Sequence, residues 1–361
     1  MPFSVEKRNG TFLGIFFVAI IALVATILGD IEAIKKIGIS PLVIGIVIGI
    51  VIGIVFANTL HDKMPSSWES GITFSGKKIL RFAIVFYGFR ITFQEIADVG
   101  LDGFLVSLIM LSTTFILGTW AGVKLFGLDR DTSMLTASGA SVCGAAAVLA
   151  TEPVLMAQEH KVAIAVSMVV LFGTIAMFAY PVMYTSGVLD MTQREFGIYV
   201  GATIHEVAQV VAVGGINGSE SEMAKSAVIV KMTRVIMIAP MLIVLGIYLS
   251  FMAKREGNGV AGAIKIVIPW FAVYFIGVAG LNSLIQAYIA TSSITVANSI
   301  SIIIENINFI DTFLLTMAMS ALGISTRFSK FKGLGLAPLY TALLMFVWLV
   351  LGGYVVVKVI C

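Results

Sequence analysis

Charged side chains are scarce in this sequence. They make up 12% of its 361 residues, about half the share of a soluble domain, whereas hydrophobic residues make up 59%. This composition excludes an ordinary soluble globular protein and predicts a polytopic membrane protein. The net charge of +3 comes mainly from Lys and Arg in short loops between apolar runs, so it indicates membrane orientation and not nucleic-acid binding.

Cysteine is also rare. The two cysteines are Cys143, within a run of small residues, and Cys361, the last residue of the sequence. This number excludes a disulfide framework and a cysteine-rich metal motif. We therefore expect neither a metal ion nor a cofactor.

The fold class predicted from the apolar runs is an all-α membrane protein with about eleven transmembrane elements, since a bilayer core needs about 20 residues of helix. The predicted elements are 12–28, 37–57, 79–96, 104–126, 133–156, 162–184, 196–213, 227–253, 264–289, 310–324 and 336–360. Residues 61–78 are predicted to form a polar loop and residues 291–308 a polar stretch. Pro153 is expected to break the fifth element.

The Lys and Arg residues are unevenly distributed between the two sides, with Arg90, Lys231 and Arg234 left out of the count because they lie within the predicted spans. Because loops rich in Lys and Arg stay in the cytoplasm, the N-terminus is predicted to be cytoplasmic and the C-terminus to lie outside. In that orientation fifteen basic residues fall on the cytoplasmic side, and five fall outside, namely Lys35, Lys36, Lys161, Lys225 and Lys358.

The stretch from Thr136 to Val148 is small and weakly polar, with two glycines, two serines and several alanines. In hydrocarbon every backbone N–H and C=O group must be satisfied internally. The composition therefore indicates either closely packed helices or a helix whose main chain opens toward a cavity. Both interpretations remain open at this point.

Two pairs of segments match at a constant offset, as internal repeats of transporters do. The first pair matches Gly88, Phe93, Gly100 and Leu101 with Gly323, Phe328, Gly335 and Leu336. The second pair matches Gly139-Ala140-Ser141-Val142, Ala146, Val148 and Ala150 with Gly201-Ala202-Thr203-Ile204, Ala208, Val210 and Ala212. If the fifth and seventh elements both cross the membrane, they run parallel. If both are re-entrant hairpins, the chain has nine spans plus two hairpins, and the charge bias does not decide between these topologies.

The small-residue stretch offers candidate ligands for an anion. A helix broken at Gly139 or Gly144 would expose N–H groups at the start of its second half, where the helix dipole favours negative charge. Ser138 and Ser141 could add hydroxyl donors, Cys143 a weak thiol donor, and Thr203 occupies the place of Ser141 in the matched segment. The alternative is structural: hydroxyls that bond back to a helix carbonyl and a cysteine that fills space.

Polar residues also lie inside two later elements. On a helix, His205 and Gln209 share a face and Glu206 lies close to it, so the three could line one wall of a cavity and the His–Glu pair could bind a coupling proton. Lys231 and Arg234 share another face and could attract an anion, or both could extend to the membrane interface.

Three further charged residues have structural interpretations. Arg90 ends an apolar run and is predicted to reach lipid headgroups or to pair with Glu95. Glu152 is predicted to line the cavity or to face water beside Pro153. Asp311 is predicted to be a helix N-cap.

The sequence resembles the YeiH-like family of proposed sulfate exporters of bacterial inner membranes. The runs that carry the resemblance are Ser138–Ala146, Ile204–Val210 and Val230–Val235. The resemblance implies a secondary transporter with two inverted five-helix repeats and discontinuous crossing helices. Its domains would be an N-terminal extra helix at 1–36, a first repeat at 37–190 and a second repeat at 191–361.

The function that this resemblance implies is alternating-access transport of a small anion such as sulfate, a sulfonate or a related organic anion. The partners would be that anion, the lipid bilayer, H⁺ or Na⁺ as a coupling ion, and a second copy in a homodimer. A cation/proton antiporter is the main alternative, with Glu206 and Glu152 as carboxylate sites, although no carboxylate lies between Asp131 and Glu152. A membrane enzyme using Cys143 and His205 is a weaker alternative, and we predict that the protein is not an enzyme.

Overall fold

The regular structure of the protein is helical throughout the residues described here. The computed structural model describes residues 8–29, 31, 41–255, 269–292, 294–326 and 335–361, with the main chain alone at 41–46 and 253–255. The helices are α1 (Arg8–Gly29), α2 (Pro41–Thr59), α3 (Glu69–Phe74), α4 (Leu80–Tyr87), α5 (Phe93–Lys124), α6 (Arg130–Ser141), α7 (Ala145–Leu155), α8 (Glu159–Thr185), α9 (Gln193–Thr203), α10 (Val207–Gly214), α11 (Glu222–Ile236), α12 (Ile238–Arg255), α13 (Trp270–Thr291), α14 (Ile294–Ser325) and α15 (Leu336–Ile360). The predicted all-α fold class is confirmed.

Seven helical segments of the described chain are long and apolar enough to cross a bilayer. They are Arg8–Gly29, Phe93–Lys124, Glu159–Thr185, Glu222–Met252, Trp270–Thr291, Ile294–Ser325 and Leu336–Ile360. These helices support a multi-pass membrane protein. The count of eleven elements and the five-helix repeats stay predictions.

The chain forms two compact units that alternate along the sequence. Unit 1 comprises Met1–Asp98, Gly214–Lys225 and Trp270–Lys330. Unit 2 comprises Val99–Val213, Ser226–Pro269 and Phe331–Cys361. Each unit therefore draws helices from early and late parts of the chain. The two units are defined by contacts within the structure and not by sequence repeats. The predicted domain boundaries therefore stay a prediction.

Unit 1 is held together by close helix packing around α14. Helix α1 packs against α2, α3 and α14, and α13 packs against α4 and α14. Glycines permit the approach: a Cβ added to Gly53 of α2 would lie 2.6 Å from the carbonyl oxygen of Ser320 in α14. Lipid tails are as apolar as leucine, so hydrophobic burial does not drive membrane helices together. Close van der Waals contact between the helices stabilises their pairing instead.

The predicted polar loop at 61–78 is wrong from Glu69 onward. Helix α3 continues through a π-helical turn, Ser75–Ile79, into α4, and a short 3₁₀ turn, Gly88–Arg90, ends this run. The exposed charges of Lys77 and Lys78 conceal the helix in the sequence, although the opposite side buries Gly71, Ile72 and Ser75. The predicted third span, 79–96, therefore begins too late and crosses a helix boundary.

The predicted element 310–324 begins too late, because α14 already begins at Ile294 and includes most of the polar stretch at 291–308. Two of its polar side chains bond back to the preceding turn of the helix. Ser299 Oγ donates to the carbonyl of Thr295, and Asn306 Nδ2 donates to the carbonyl of Ile302 at 2.8 Å. Polar residues of this kind do not end a helix when the preceding turn accepts their hydrogen bonds.

Unit 1 also buries an ion pair that corrects two predictions. Arg90 Nη1 donates to Asp311, and Arg90 Nη2 donates to Thr312 Oγ1 at 2.9 Å. Asp311 lies in the middle of α14 and is not an N-cap. Arg90 is 4% exposed and does not reach lipid headgroups. Glu95 instead pairs with Lys225 at 2.6 Å.

Gly100 and Gly335, which match in the first repeat pair, both have positive φ in unit 2. Gly100 interrupts α5 with φ +40° directly before Leu101, and Gly335 has φ +78° directly before α15 begins at Leu336. Positive φ is a conformation that glycine adopts without strain. This agreement supports the pairing of the two segments, whereas Phe328 of the same pair lies outside the described residues.

Candidate functional site

The small-residue stretch of unit 2 contains a break between two helices. Helix α6 ends at Ser141, Val142 has non-helical angles (φ −118°, ψ −84°), and α7 begins at Ala145. Gly144 makes the break possible, because its φ of +74° is rare for other residues. Of the two glycines considered for the opening, Gly139 stays helical and packs against Val169 of α8.

The predicted break at Pro153 does not occur there. Pro153 lies inside α7, which continues to Leu155 and ends with Met156 in the left-handed conformation (φ 52°). Proline interrupts a helix by removing one N–H donor and by crowding the preceding turn. Only two helical residues follow Pro153, so α7 ends two positions after the proline. Glu152 is partly exposed beside it.

The second matched segment is broken at the corresponding place. Helix α9 ends at Thr203 and α10 begins at Val207, with Ile204 in an extended conformation (φ −71°, ψ 144°). These positions match Ser141, Ala145 and Val142 at the same offset as the sequence repeat. The predicted discontinuity is therefore present in both segments, whereas the choice between crossing spans and hairpins stays open.

Lys231 connects the two breaks. Its Nζ donates to the carbonyl oxygens of Val142 at 2.8 Å, Ile204 at 2.7 Å and His205 at 2.7 Å. These carbonyls follow the ends of α6 and α9, where a helix leaves acceptors without partners and carries partial negative charge. Lys231 is 0% exposed, so the alternative that it extends to the membrane interface is excluded.

Arg234 makes a second connection one turn further along α11. Its Nε donates to the carbonyl of Ser141 at 3.1 Å, and its two terminal nitrogens donate to Ala140 at 3.2 Å and to Gly201 at 3.3 Å. The side chain is 0% exposed. Both cations of α11 therefore cap the C-terminal carbonyls of the broken helices, and neither extends to lipid headgroups.

Glu206 supplies the opposite charge. Its carboxyl group lies beside Gly144, directly before the first residue of α7, where the backbone N–H of Ala145 acts on it. A Cβ added to Gly144 would lie 2.6 Å from Glu206 Cγ and 3.2 Å from Oε1, so only glycine leaves room for this carboxylate. Negative charge at a helix N-terminus is favourable. Each kind of helix end in the breaks thus has a side chain of the appropriate sign.

Two buried nitrogen atoms near Glu206 have no hydrogen-bond partner among the described residues. They are His205 Nδ1 and Gln209 Nε2. The residues are 2% and 0% exposed, and Gln209 Oε1 accepts the backbone N–H of Glu206 at 3.2 Å. Buried polar atoms without partners are uncommon in proteins and mark places where a ligand or water is bound.

The helical face predicted for His205, Glu206 and Gln209 is wrong in one respect. His205 and Glu206 precede α10 and occupy the break, so only Gln209 lies on that helix. The sequence also gave no reason to select Gly173 of α8. A Cβ there would lie 2.9 Å from Gln209 Nε2, so this glycine makes room for the amide. A glycine within an apolar run is the only signal that could have identified it.

The buried hydroxyls of the site are directed at their own helices. Ser138 Oγ donates to Leu135 at 2.9 Å, Ser141 Oγ to Ser138 at 3.2 Å, and Thr203 Oγ1 to Tyr199 at 2.6 Å, each to a carbonyl oxygen. This arrangement fits the structural alternative, because a hydroxyl would have to rotate before it could donate to a ligand. Cys143 is buried in the first break and has a free thiol.

Together, the two broken helices and the buried charges that hold their ends define a helical membrane protein with a polar centre inside one unit. The chain belongs to the family described as Conserved hypothetical protein 698, whose model matches residues 13–342. It is similar to a UPF0324 membrane protein of Bordetella pertussis, with 46% identity over 98% of this chain and 95% of the relative. Similar relatives occur in Pseudomonas putida (43%; 96% and 93% covered) and Bacteroides thetaiotaomicron (40%; 96% and 97% covered). No solved structure matches the chain.

Proposed function

We propose that this protein is a secondary active transporter that moves a small anion, namely sulfate, a sulfonate or a related organic anion, by alternating access. The observation that carries the proposal is the polar centre of unit 2, where Lys231 and Arg234 are buried beside two opened helices. Glu206 is the carboxylate that acts on Lys231. Intramembrane ionisable residues are costly and usually mark the path of a substrate or ion.

The balance of charge favours an anion. Two cations face one carboxylate, and the partial charges of the helix ends offset one another, since two C-termini carry about −0.5 each and two N-termini about +0.5 each. When Glu206 is ionised, one positive charge remains without a full partner. A negatively charged solute would neutralise it.

The unpartnered nitrogens supply the direct contacts in this proposal. Gln209 Nε2 donates to an oxygen of the anion, and His205 Nδ1 does the same in the tautomer that protonates this nitrogen. Lys231 already donates to three carbonyls, so its contribution is the positive field and the shape of the breaks. Ser138, Ser141, Thr203 and Cys143 then line the site as small neighbours.

The main alternative is a cation/proton antiporter. Such a site would be expected to present a surplus of carboxylates at the breaks. Here the polar centre holds one carboxylate, Glu206, with the two cations Lys231 and Arg234, and no carboxylate lies between Asp131 and Glu152. A membrane enzyme using Cys143 and His205 would change the solute chemically, whereas a transporter delivers it unchanged.

The test is uptake of radiolabelled sulfate and of small organosulfonates into proteoliposomes, with and without a pH or sodium gradient. We expect concentrative uptake of at least one of these anions by the wild type. Gln209→Leu removes the unpartnered donor and should reduce the initial rate at least tenfold. Gln193→Leu, an exposed glutamine in the first turn of α9, should leave the rate unchanged.

Two results would contradict the proposal. One is the absence of anion uptake together with sodium-driven proton movement, which would favour the antiporter. The other is equal anion uptake by Gln209→Leu and the wild type, which would remove this amide from the site. The inner bacterial membrane as location, the homodimer and the H⁺ or Na⁺ coupling belong to the same proposal.

A further inference from the structure

We propose that the Glu206 carboxylate is an internal competitor of the transported anion at the start of α7, and that it takes up one proton each time the anion binds. The coupling ion would then be H⁺, moving in the same direction as the anion. This inference rests on the proposed function, since it requires that an anion binds in unit 2.

The position of Glu206 carries the first step. Its carboxyl group lies against Gly144, beside the backbone N–H of Ala145, the first residue of α7, where an oxyanion ligand would also be stabilised. The Glu206 side chain fits against Gly144 because Gly144 has no Cβ, and an added Cβ would overlap it. The protein therefore already holds an anionic group where it can hold a solute anion.

The atoms around Glu206 carry the second step. His205 Nδ1, one residue before it, and Gln209 Nε2, three residues after it, are buried and have no partner within the described part of the chain. Glu206 does not satisfy either nitrogen, although its carboxyl group lies beside Gly144 at the start of α7. In this inference the oxygen atoms of the solute accept from the N–H of Ala145 and from these two nitrogens.

The facing charges carry the third step. The groups that act on Glu206 and its surroundings are Lys231 and Arg234 of α11 and the thiol of Cys143, with His205 adjacent in the chain. While Glu206 is ionised, a second anion beside it is repelled and only one positive charge is unbalanced. Protonation of Glu206 removes the repulsion and leaves two positive charges, which match a divalent anion such as sulfate.

The resulting cycle conserves atoms and charge. A proton from water on the entry side binds a carboxylate oxygen of Glu206, which releases the N–H of Ala145. An oxygen of the anion then accepts this N–H. On the exit side the anion leaves, the proton returns to water, and Glu206 accepts the Ala145 N–H again. One proton accompanies one anion.

The experiment measures proton uptake on anion binding. Purified protein in weakly buffered detergent solution is mixed with sulfate, and separately with methanesulfonate, while a pH indicator and a thermal-shift assay record protons and binding. The wild type should take up about one proton per bound anion, and its affinity should fall up to about tenfold per pH unit as pH rises. Glu206→Gln should still bind the anion, take up no proton and lose this pH dependence.

Controls separate the possible outcomes. Glu152→Gln removes a partly exposed carboxylate from the same helix α7 and should keep the proton uptake of the wild type. Glu206→Asp keeps a carboxyl group and should keep the uptake with altered affinity, which provides a second readout if Glu206→Gln does not fold. Anion binding by the wild type without proton uptake, or full uptake by Glu206→Gln, would overturn the inference while the proposed function stands. Failure of the wild type to bind or transport either anion would contradict the proposed function itself.

Discussion

Gly144 occupies a main-chain conformation that a side chain would oppose for two separate reasons. Its φ of +74° is unfavourable for residues with a Cβ, and that Cβ would overlap Glu206. We expect Gly144→Ala to lower the free energy of unfolding by about 1–3 kcal/mol through backbone strain, and to abolish transport because Glu206 is displaced.

A second glycine provides the matched control for this prediction. Gly127 has φ +67° but nothing within 4 Å of an added Cβ. Gly127→Ala should therefore lower the thermal midpoint through the same strain and leave transport intact. Equal transport by both variants, measured as initial anion uptake in proteoliposomes, would show that the contact with Glu206 has no functional role.

At this scale the sequence predicted the residue types of the site but not their contacts. Lys231 and Arg234 were selected because a buried charge is costly. Their partners are carbonyl oxygens between 26 and 94 positions away in the chain, and main-chain acceptors leave no pattern in a sequence. The pairing of Arg90 with Asp311, 221 positions apart, was missed for the same reason.

At the scale of the element, one lysine holds the ends of two helices. Lys231→Met would keep most of the side-chain volume but leave the carbonyls of Val142 and His205 without a donor, and that of Ile204 with only Arg234 Nη1 at 3.5 Å. A buried unsatisfied acceptor costs about 1–3 kcal/mol. We expect the free energy of unfolding of this variant to fall by about 3 kcal/mol or more, and its melting temperature in detergent to be clearly lower.

Lys225 lies on the same helix and provides the comparison. It forms an ion pair with Glu95 near the surface, and such pairs contribute about 0–1 kcal/mol. Lys225→Met should therefore change the melting temperature little. Equal melting temperatures for Lys231→Met and Lys225→Met would show that the hydrogen bonds of Lys231 do not stabilise the broken helices.

Among the elements, both broken helices were expected from the family resemblance, and both breaks are present. The helical run from Glu69 was missed because Lys77 and Lys78 are typical of a loop in sequence, and the sequence does not show that they lie on the exposed side of a helix. Polar residues of α14 misled the prediction in the same way, since back-bonding to the preceding turn is not visible in composition.

At the scale of the whole molecule, the distribution of Lys and Arg predicts that the C-terminus lies outside the cytoplasm. Cys361 is exposed and Cys143 is buried, so the two thiols differ in access. A membrane-impermeant maleimide should label the wild type in intact spheroplasts, and Cys361→Ser should remove the label. Labelling that requires permeabilised membranes would contradict the predicted orientation.

The alternation of the two units along the chain has a consequence for biosynthesis. Helix α15 packs against α6, α8 and α9, and Tyr199 donates a hydrogen bond to the carbonyl of Val350 within it. Unit 2 therefore stays incomplete until the ribosome has delivered the final helix, long after both broken helices have entered the membrane. Premature termination before Leu336 would leave the polar centre without one of its walls, and such nascent chains should be substrates for membrane proteases.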